Sequence, residues 1–295
     1  MFRLALATNR DWPALCPDDV PLVPLLHDRK IEATPVLWDD PSANWQEYDA
    51  VIVRSVWDYY HRFDEFLAWF DVLDRLGVPC WNPTTLCRWN ARKTYLRDMA
   101  AKGVRIVPTH WIEPGEKVDL GRLMRETGWD EVVIKPVVSA AGDRTYRFTM
   151  DDVTAGQKVL DALSPVVETM VQKFVKDVLG PGEWSLIYLG GEYSHAVRKR
   201  PAQGEFRVQE EHGGETRAAT PPPALIHSAD EIVRRIPFDW LFARIDGFED
   251  AATGEFILAE LEALEPLLFL SHAEHAHELF ADAIAEMVPG SASNS

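Results

Sequence analysis

The most informative stretch of the sequence is RIDGFEDAATGEFILAELEALEP, residues 244–266. Within it, the Thr-Gly pair at 253–254 predicts a turn between two strands. Because side chains alternate along a strand, Glu260 and Glu262 share one face of the second strand, and the turn brings Asp246 alongside them. Three carboxylates at one place repel one another unless a cation neutralises them, and Mg²⁺ prefers such oxygen ligands. These residues therefore predict a metal site, with an exposed acidic strand face as the alternative.

Positively charged residues elsewhere predict that the chain binds an anion. Lys135 lies near the end of the apolar strand EVVIKP (131–136), where a buried ammonium needs an anionic partner, and the loop VVSAAGD (137–143) can offer backbone N–H groups. Lys93 follows Trp89 by four residues, on one face of a predicted helix. A lysine that simply reaches solvent is the alternative at both positions. Further basic residues are concentrated on two adjacent predicted strands, which indicates an anion facing that sheet: Arg198, Lys199, Arg200 and Arg207.

The first 82 residues predict a small open parallel sheet. The apolar runs that predict its buried strands are 3–8, 33–38 and 50–55. Apolar residues at three- and four-residue spacing predict a helix over 64–76 that ends at Gly77. Ligands of such sheets lie beyond the carboxyl ends of the strands. The candidate substrate-binding residues at these ends are Asn9, Arg54 and Trp57, with strand-end packing and salt bridges as the alternative.

The rest of the chain predicts further strands, hairpins and amphipathic helices. The predicted strands are 107–112, 131–136, 145–149 and 167–175, and the predicted helices are 91–102, 151–163 and 273–287. Glycine pairs at 190–191 and 213–214 predict hairpins. Ser228 and Glu231 have the spacing of a capping box, which predicts a short helix to Ile236. The last residues, 290–295, are predicted to be disordered.

Composition and charge exclude several classes of function. The chain has 295 residues, of which 46% are hydrophobic, enough for a sizeable core. Its net charge of −17 argues against nucleic acid or an anionic membrane as the main partner. Three cysteines without CxxC spacing are typical of a reducing compartment, and the most apolar stretches are too short or too charged to span a bilayer. The motifs of P-loop NTPases, nicotinamide enzymes, α/β-hydrolases and zinc proteases do not occur in the sequence. We therefore expect a cytoplasmic protein.

Several short motifs, taken in order, resemble the ATP-grasp superfamily, in the branch that contains prokaryotic glutathione synthetase. The motifs that carry this resemblance are NP…WNARK (82–93), VVIKPVVSAAG (132–142), VQKFV (171–175), GEWSLIYLGG (182–191), RKRPAQGEFRVQEEHGG (198–214) and the carboxylates of the first paragraph. The resemblance implies an α/β fold, α+β in its C-terminal part. It implies an open parallel-sheet domain over 1–82, a small ATP-binding subdomain over 83–175 and an antiparallel-sheet subdomain over 176–295. Gln209 and Glu262 stand where the family usually has asparagine, and the second of these departs from the family's metal triad.

The resemblance also implies roles in binding ATP and Mg²⁺, or Mn²⁺ in its place. Lys93 and Lys135 match the lysines that hold phosphate groups, and Arg207 matches the transition-state arginine, so Lys135 and Arg207 are the implied catalytic residues. The residues implied to contact ATP are Lys93, Lys135, Ser139, Gly142, Gln172, Lys173, Phe174, Val175, Glu183, Lys199 and Arg207. The implied metal ligands are Asp246, Glu260 and Glu262.

Two further segments, RSVWDYY (54–60) and LEALEPLLFL (261–270), resemble the group that contains D-cycloserine synthetase. This resemblance implies an ATP-dependent ligase of antibiotic biosynthesis. Such an enzyme activates the carboxylate of O-ureido-D-serine as an acyl phosphate, and the substrate's own nitrogen closes the ring. Two alternatives stay open: a ligase that joins an amino acid or peptide to a separate amine, and a nucleotide-binding module without activity. The expected partner is a small amino-acid-like carboxylate, and a monomer and a homo-oligomer both fit the sequence.

Overall fold

Parallel strands form the N-terminal sheet, as the apolar runs predict. In the computed structural model, which describes residues 1–250 and 252–290, the first strand lies between two parallel neighbours. The strands are β1 (Phe2–Thr8), β2 (Ile31–Leu37) and β3 (Ala50–Val53), and the helices are α1 (Leu22–Asp28) and α2 (Phe63–Leu76). Helix α2 ends at Gly77, whose φ of +68° is the left-handed conformation that glycine adopts without steric cost. Residues 291–295, part of the tail predicted to be disordered, lie outside the described residues.

The prediction of one helix over 91–102 is wrong, because the chain leaves the helical path around Lys93. The structure has α3 (Thr84–Asn90) and α4 (Tyr95–Ala101) instead. Between them the backbone N–H of Lys93 donates to the carbonyl of Val137, 3.0 Å away. The interruption therefore ties Lys93 to the start of the small-residue loop 137–143.

The central sheet has four antiparallel strands in the order β4-β7-β5-β6. Its strands, each inside the range predicted for it, are β4 (Thr109–Ile112), β5 (Glu131–Pro136), β6 (Tyr146–Thr149) and β7 (Thr169–Lys173). Helices α5 (Leu120–Thr127) and α6 (Val153–Leu163) pack together and share a buried core with this sheet. The core is apolar because the inward positions of both helices are leucine, as in Leu120 and Leu160.

The C-terminal sheet has five antiparallel strands in the order β10-β9-β8-β11-β12. Its strands are β8 (Glu183–Leu189), β9 (Glu192–Arg200), β10 (Glu215–Ala218), β11 (Phe242–Glu249) and β12 (Phe256–Glu262), and its helices are α7 (Pro223–Val233) and α8 (Ala276–Glu286). The turn at 190–191 joins β8 to β9 as predicted. β11 and β12 pair across the predicted turn at 253–254, with Asp246 opposite Glu260.

Two local predictions in this part are wrong. Residues 201–214 form a loop rather than a hairpin arm, so β10 pairs with β9 and Arg207 lies on no strand. Helix α7 begins at Pro223 instead of Ser228, because proline fits the first helical turn, where its missing N–H needs no partner. The Ser228 hydroxyl accepts a hydrogen bond from the backbone N–H of Phe256, 3.0 Å away, and so joins the helix to β12.

The two ends of the chain share one hydrophobic core. Leu4 and Leu6 of β1 belong to the same buried cluster as Phe242 of β11 and Phe280 of α8, and α8 packs along α1. Within 1–250 and 252–290, every helix is too short or too polar to cross a lipid bilayer. The central sheet and its helices α5 and α6 have a separate hydrophobic core.

Candidate active site

A cavity of about 310 Å³ opens between the central and C-terminal sheets. Its apolar part is a buried cluster contributed by both sheets and by the loop that follows β9: Val107, Val133, Phe174, Val178, Val208 and Phe248. Its polar part contains two lysines, one arginine and several carboxylates that β5, β9, β11 and β12 present to the same space, with a second arginine on the loop that follows β9. An apolar slot beside a cluster of charges is a shape that suits a nucleotide, whose base is flat and whose phosphates are ionic.

Two lysines predicted to hold phosphate groups both line the cavity. Lys93 is buried, with its Nζ 2.9 Å from Glu260 Oε1 and 2.6 Å from the carbonyl oxygen of Ser139. Burial opposes the charge of Lys93, but nearby carboxylates, Glu260 first, raise its pKa above the usual range. Lys135 is half-buried, and burial lowers its pKa. In the described part of the chain no side chain pairs with the Lys135 ammonium, which leaves it available to an anionic ligand.

The predicted metal ligands lie together, but cations of the chain itself already accompany them. Arg244 contacts Asp246 at 2.8 Å and Glu262 at 2.5 Å, and Lys199 Nζ lies 3.3 Å from Asp246 Oδ1. Burial of Asp246 disfavours its charge, but Arg244 and Lys199 outweigh this and hold its pKa at about 2. Burial, helped by the charges of Asp246 and Glu260, raises the pKa of Glu262 to about 8 despite Arg244. The mutual repulsion expected from the sequence is thus relieved by arginine and lysine.

The donor chemistry of these three carboxylates nevertheless fits a hard divalent cation. They share one face of β11 and β12, where Asp246 pairs with Glu260 and Glu262 follows two residues later. Over residues 1–250 and 252–290 no set of three or more ligating side chains converges on one point. A metal ion would therefore take oxygen atoms that now contact Lys93, Lys199 and Arg244.

Residues predicted to contact the nucleotide surround the apolar part. Gln172 Nε2 donates to Thr109 Oγ1 at 3.2 Å, and Phe174 packs edge-on against Phe206 with ring centroids 6.2 Å apart. Lys173 and Val175 also line the cavity. At its polar border Glu183 and Lys199 form an ion pair of 2.6 Å. Burial raises the pKa of Glu183 even beside that lysine.

Two loops meet over the cavity. Gly142, at the tip of the small-residue loop, has a φ of +71°, and a Cβ added there would lie 3.1 Å from Arg207 Cδ and 3.3 Å from His212 Nε2. Arg207 lines the cavity and makes a two-point ion pair with Glu205, at 2.7 and 3.2 Å. That arginine, with backbone N–H groups, lowers the pKa of Glu205 to about 2. The loops carrying Ser139 and Arg207 therefore touch and cover the polar part.

Two of the three predicted substrate-binding residues do not line this cavity. The Asn9 side chain accepts hydrogen bonds from the backbone N–H groups of residues 11 and 12 and so stabilises a turn. Arg54 is only 1% exposed and forms a two-point ion pair with Asp19, at 2.9 and 3.1 Å. Trp57 does line the cavity, and its indole Nε1 donates to the carbonyl of Glu265 at 2.8 Å.

Among the cavity residues that sequence reasoning missed are Arg244, Glu265 and Tyr59. Arg244 could have been found, because it precedes Asp246 by two residues and therefore shares its strand face. Glu265 and Tyr59 lie on segments outside regular strands, so residue spacing carried no signal for them.

The comparisons with known proteins agree with this geometry. Residues 4–82 match the family model of the D-cycloserine synthetase DcsG N-terminal domain, and residues 105–236 match that of the prokaryotic glutathione synthetase ATP-grasp domain. The cycloserine biosynthesis protein DcsG of Streptomyces lavendulae is 28% identical over 299 residues, with 97% of this chain and 99% of that protein covered.

Solved structures show the same architecture. The crystal structure of D-cycloserine synthetase DcsG superimposes with a TM-score of 0.86 at 26% identity, covering 96% of this chain and 99% of the other. D-alanine–D-alanine ligase from Bacillus anthracis, complexed with ATP, has the same fold with a TM-score of 0.68 at 14% identity, covering 97% of each chain. The expected fold class is confirmed. Residues 105–236 therefore belong to an ATP-grasp domain of the glutathione synthetase type, and the chain, an ATP-dependent ligase, is similar over nearly its whole length to D-cycloserine synthetase.

Proposed function

We propose that this ligase activates the carboxylate of a small amino-acid-like substrate as an acyl phosphate, and that a nitrogen of the same molecule closes a ring, as in the conversion of O-ureido-D-serine to D-cycloserine. The observation that carries the proposal is the Lys135 ammonium, which faces the cavity beside a cluster of carboxylates but has none of them within the 4.0 Å of an ion pair among the described residues. A lone cation there suits the phosphates of ATP. The relatives named for cycloserine biosynthesis support the choice of substrate.

The polar part of the cavity would hold the phosphates. Lys93 and Lys135 supply positive charge to them, which reduces the repulsion that an attacking carboxylate meets. Asp246, Glu260 and Glu262 are the residues that would hold Mg²⁺, or Mn²⁺; when bound, the ion neutralises charge on the phosphate oxygens.

The apolar part would hold the base and sugar. The backbone of residues 172–175 borders this slot beside Phe206 and offers hydrogen-bonding groups to the adenine edge. Glu183, at the polar border, is placed to accept hydrogen bonds from ribose hydroxyls. The ion pair with Lys199 keeps that carboxylate oriented.

Two arginines and the loop 137–143 would assist transfer of the phosphoryl group. Arg207, and Arg244 on the cavity floor, are placed to stabilise negative charge that develops on the transferred phosphoryl group and on the tetrahedral intermediate. The loop 137–143, already in contact with the loop that carries Arg207, keeps water from the acyl phosphate. Ring closure within one molecule then needs no second binding event, because both reacting ends are held together.

The test is release of ADP and phosphate, with Mg²⁺, across a panel of amino-acid carboxylates that includes O-ureido-D-serine, each with and without an added amine. Turnover of O-ureido-D-serine without an amine, with D-cycloserine as product, is the expected result. Turnover only with an amine would replace ring closure by an intermolecular ligase reaction. Lys135→Met should lower release at ATP concentrations below saturation, whereas Lys158→Met, which removes an exposed lysine on α6, should leave it unchanged. No release with any acid despite ATP binding would contradict the proposal and favour a module that only binds nucleotide.

A further inference from the structure

One buried carboxylate in the cavity takes no part in the chemistry described so far. Glu265, three residues after β12, is 8% exposed and lines the cavity beside Trp57 and Tyr59. The other inner carboxylates each have a cation of the chain within 4.0 Å: Lys199 for Glu183, Arg244 for Asp246 and Glu262, and Lys93 for Glu260. Among the described residues no lysine, arginine or histidine pairs with Glu265.

The surroundings of Glu265 favour a ligand over a structural role. Tyr59, itself 4% exposed, lines the same part of the cavity, and the charge of Glu265 helps burial to raise the pKa of its hydroxyl. Burial raises the pKa of Glu265 to about 7, since Lys93 and Arg244 act on it only from a distance and Glu260 and Glu262 repel it. A carboxylate removed from water without a counter-ion is costly, and a cationic ligand would remove that cost.

The backbone around Glu265 is fixed from three directions. Its carbonyl accepts a hydrogen bond from Trp57 Nε1 at 2.8 Å, that of Pro266 from Arg54 Nη2 at 3.0 Å, and that of Leu267 from Arg244 Nη1 at 2.8 Å. Arg54 is held in turn by Asp19. These donors come from the N-terminal domain and from β11. Such anchoring limits the entropy lost when a ligand binds to the carboxylate.

We propose that Glu265 binds the protonated α-amino group of the substrate, with Tyr59 orienting its carboxylate and with Arg54 as a positioning residue for the segment 265–267. This inference rests on the proposed function and deepens it, because it assigns one residue to recognition of the substrate's α-amino group. The unpaired charges in the cavity then have complementary partners: Lys135 for phosphate and Glu265 for ammonium. The strong ion pairs of the other carboxylates leave Glu265 as the group best placed to recognise an ammonium.

The experiment compares two ligands that differ only in the α-amino group, O-ureido-D-serine and 3-(ureidooxy)propanoate. Calorimetry with the full chain, Mg²⁺ and a non-hydrolysable ATP analogue gives their affinities for wild type, for Glu265→Gln and for the matched surface variant Glu192→Gln. Glu192 is exposed at the β8–β9 turn. We expect wild type and Glu192→Gln to prefer the amino acid by about 10- to 100-fold, and Glu265→Gln to lose that preference with unchanged affinity for the nucleotide.

A loss of stability alone would weaken both ligands equally, so the ratio of affinities isolates recognition of the amino group. A wild type without the preference, a Glu265→Gln variant that retains it, or failure of both ligands to bind would each overturn the inference. Release of ADP, measured in parallel, tests the proposed function separately. If ADP is released and Glu265→Gln keeps the wild-type preference for the amino acid, only the role of Glu265 is refuted. An amino preference without release refutes only the proposed reaction.

Discussion

Replacement of Arg244 by methionine should make the stability of the protein depend on Mg²⁺, because the cavity carboxylates then lose a positively charged partner. Arg244 is buried and gives hydrogen bonds to Asp246, Glu262 and the carbonyl of Leu267. Removing one partner of a buried ion pair costs about 3–5 kcal/mol. Lys199 remains 3.3 Å from Asp246, and Glu262, with a pKa of about 8, can hold a proton. The loss should therefore lie at the lower end, about 3 kcal/mol.

Magnesium should return most of that stability. A ligand that binds only the folded state at 100 times its Kd stabilises it by about 2.7 kcal/mol. In wild type the charge of Arg244 opposes binding of a divalent cation at the same carboxylates, so the gain from Mg²⁺ should be smaller than in Arg244→Met.

The assay is urea unfolding at pH 7.5, in EDTA and in excess MgCl₂. The matched control is Arg75→Met, which removes an exposed arginine of α2 and should change the free energy of unfolding by less than about 0.5 kcal/mol. An Arg244→Met protein as stable as wild type in EDTA would refute the energetic reasoning. An equal increase of the free energy of unfolding with MgCl₂ in wild type and Arg244→Met would refute the idea that Arg244 and Mg²⁺ compete for the same carboxylates.

Three further predictions concern other parts of the site and fold. Lys135→Met should raise the KM for ATP by about 10- to 100-fold, because a charge-assisted contact is lost, and an unchanged KM in steady-state assays would contradict this role. Gly142→Ala places a Cβ against Arg207 and should lower kcat further than Gly115→Ala, which has a similar positive φ but open space; equal effects on kcat would argue against the contact. Burial lowers the pKa of His195 below 6.5, so the folded state resists its protonation and stability falls as pH drops below about 6.5. Between pH 7 and 5, the free energy of unfolding should therefore fall less in His195→Gln than in wild type, and equal slopes in urea titrations would show that another group is responsible.

Periodicity predicted the regular elements of this chain well, because those elements follow from local burial. The strand at Glu131–Pro136 contains an unbroken buried apolar run, Val132 to Ile134, and has the predicted bounds. The helix over 91–102 failed for a non-local reason: the Lys93 N–H bonds to Val137, more than forty residues away. Arg207, which was predicted to lie on a strand, lies on a loop. Its ion-pair partner Glu205 is two residues away on the same loop rather than on a neighbouring strand.

The site was predictable as a set of charges but not as a set of pairs. Residue spacing placed Asp246, Glu260 and Glu262 together, and the structure has them on one face. It could not indicate that Arg244 would bridge two of them, since ion-pair partners depend on side-chain conformation. Arg54 illustrates the same limit: the end of a parallel strand was the expected place for a ligand contact, but Asp19 occupies the guanidinium.

The core shared by the chain's two ends has a consequence for the order of events in a catalytic cycle. Because β1, β11 and α8 contribute to one buried cluster, the N-terminal domain and the C-terminal sheet are joined into one body. The central sheet has a further core of its own and meets the C-terminal sheet at the buried cluster that lines the cavity. In the proposed function, nucleotide binds between the central and C-terminal sheets, whereas Glu265 and its anchors Trp57, Arg54 and Arg244 all belong to the body that joins the two ends of the chain. On that proposal the nucleotide site needs residues of both sheets, whereas the site for the substrate's amino group is complete within one body, so exchange of ADP for ATP need not disturb it.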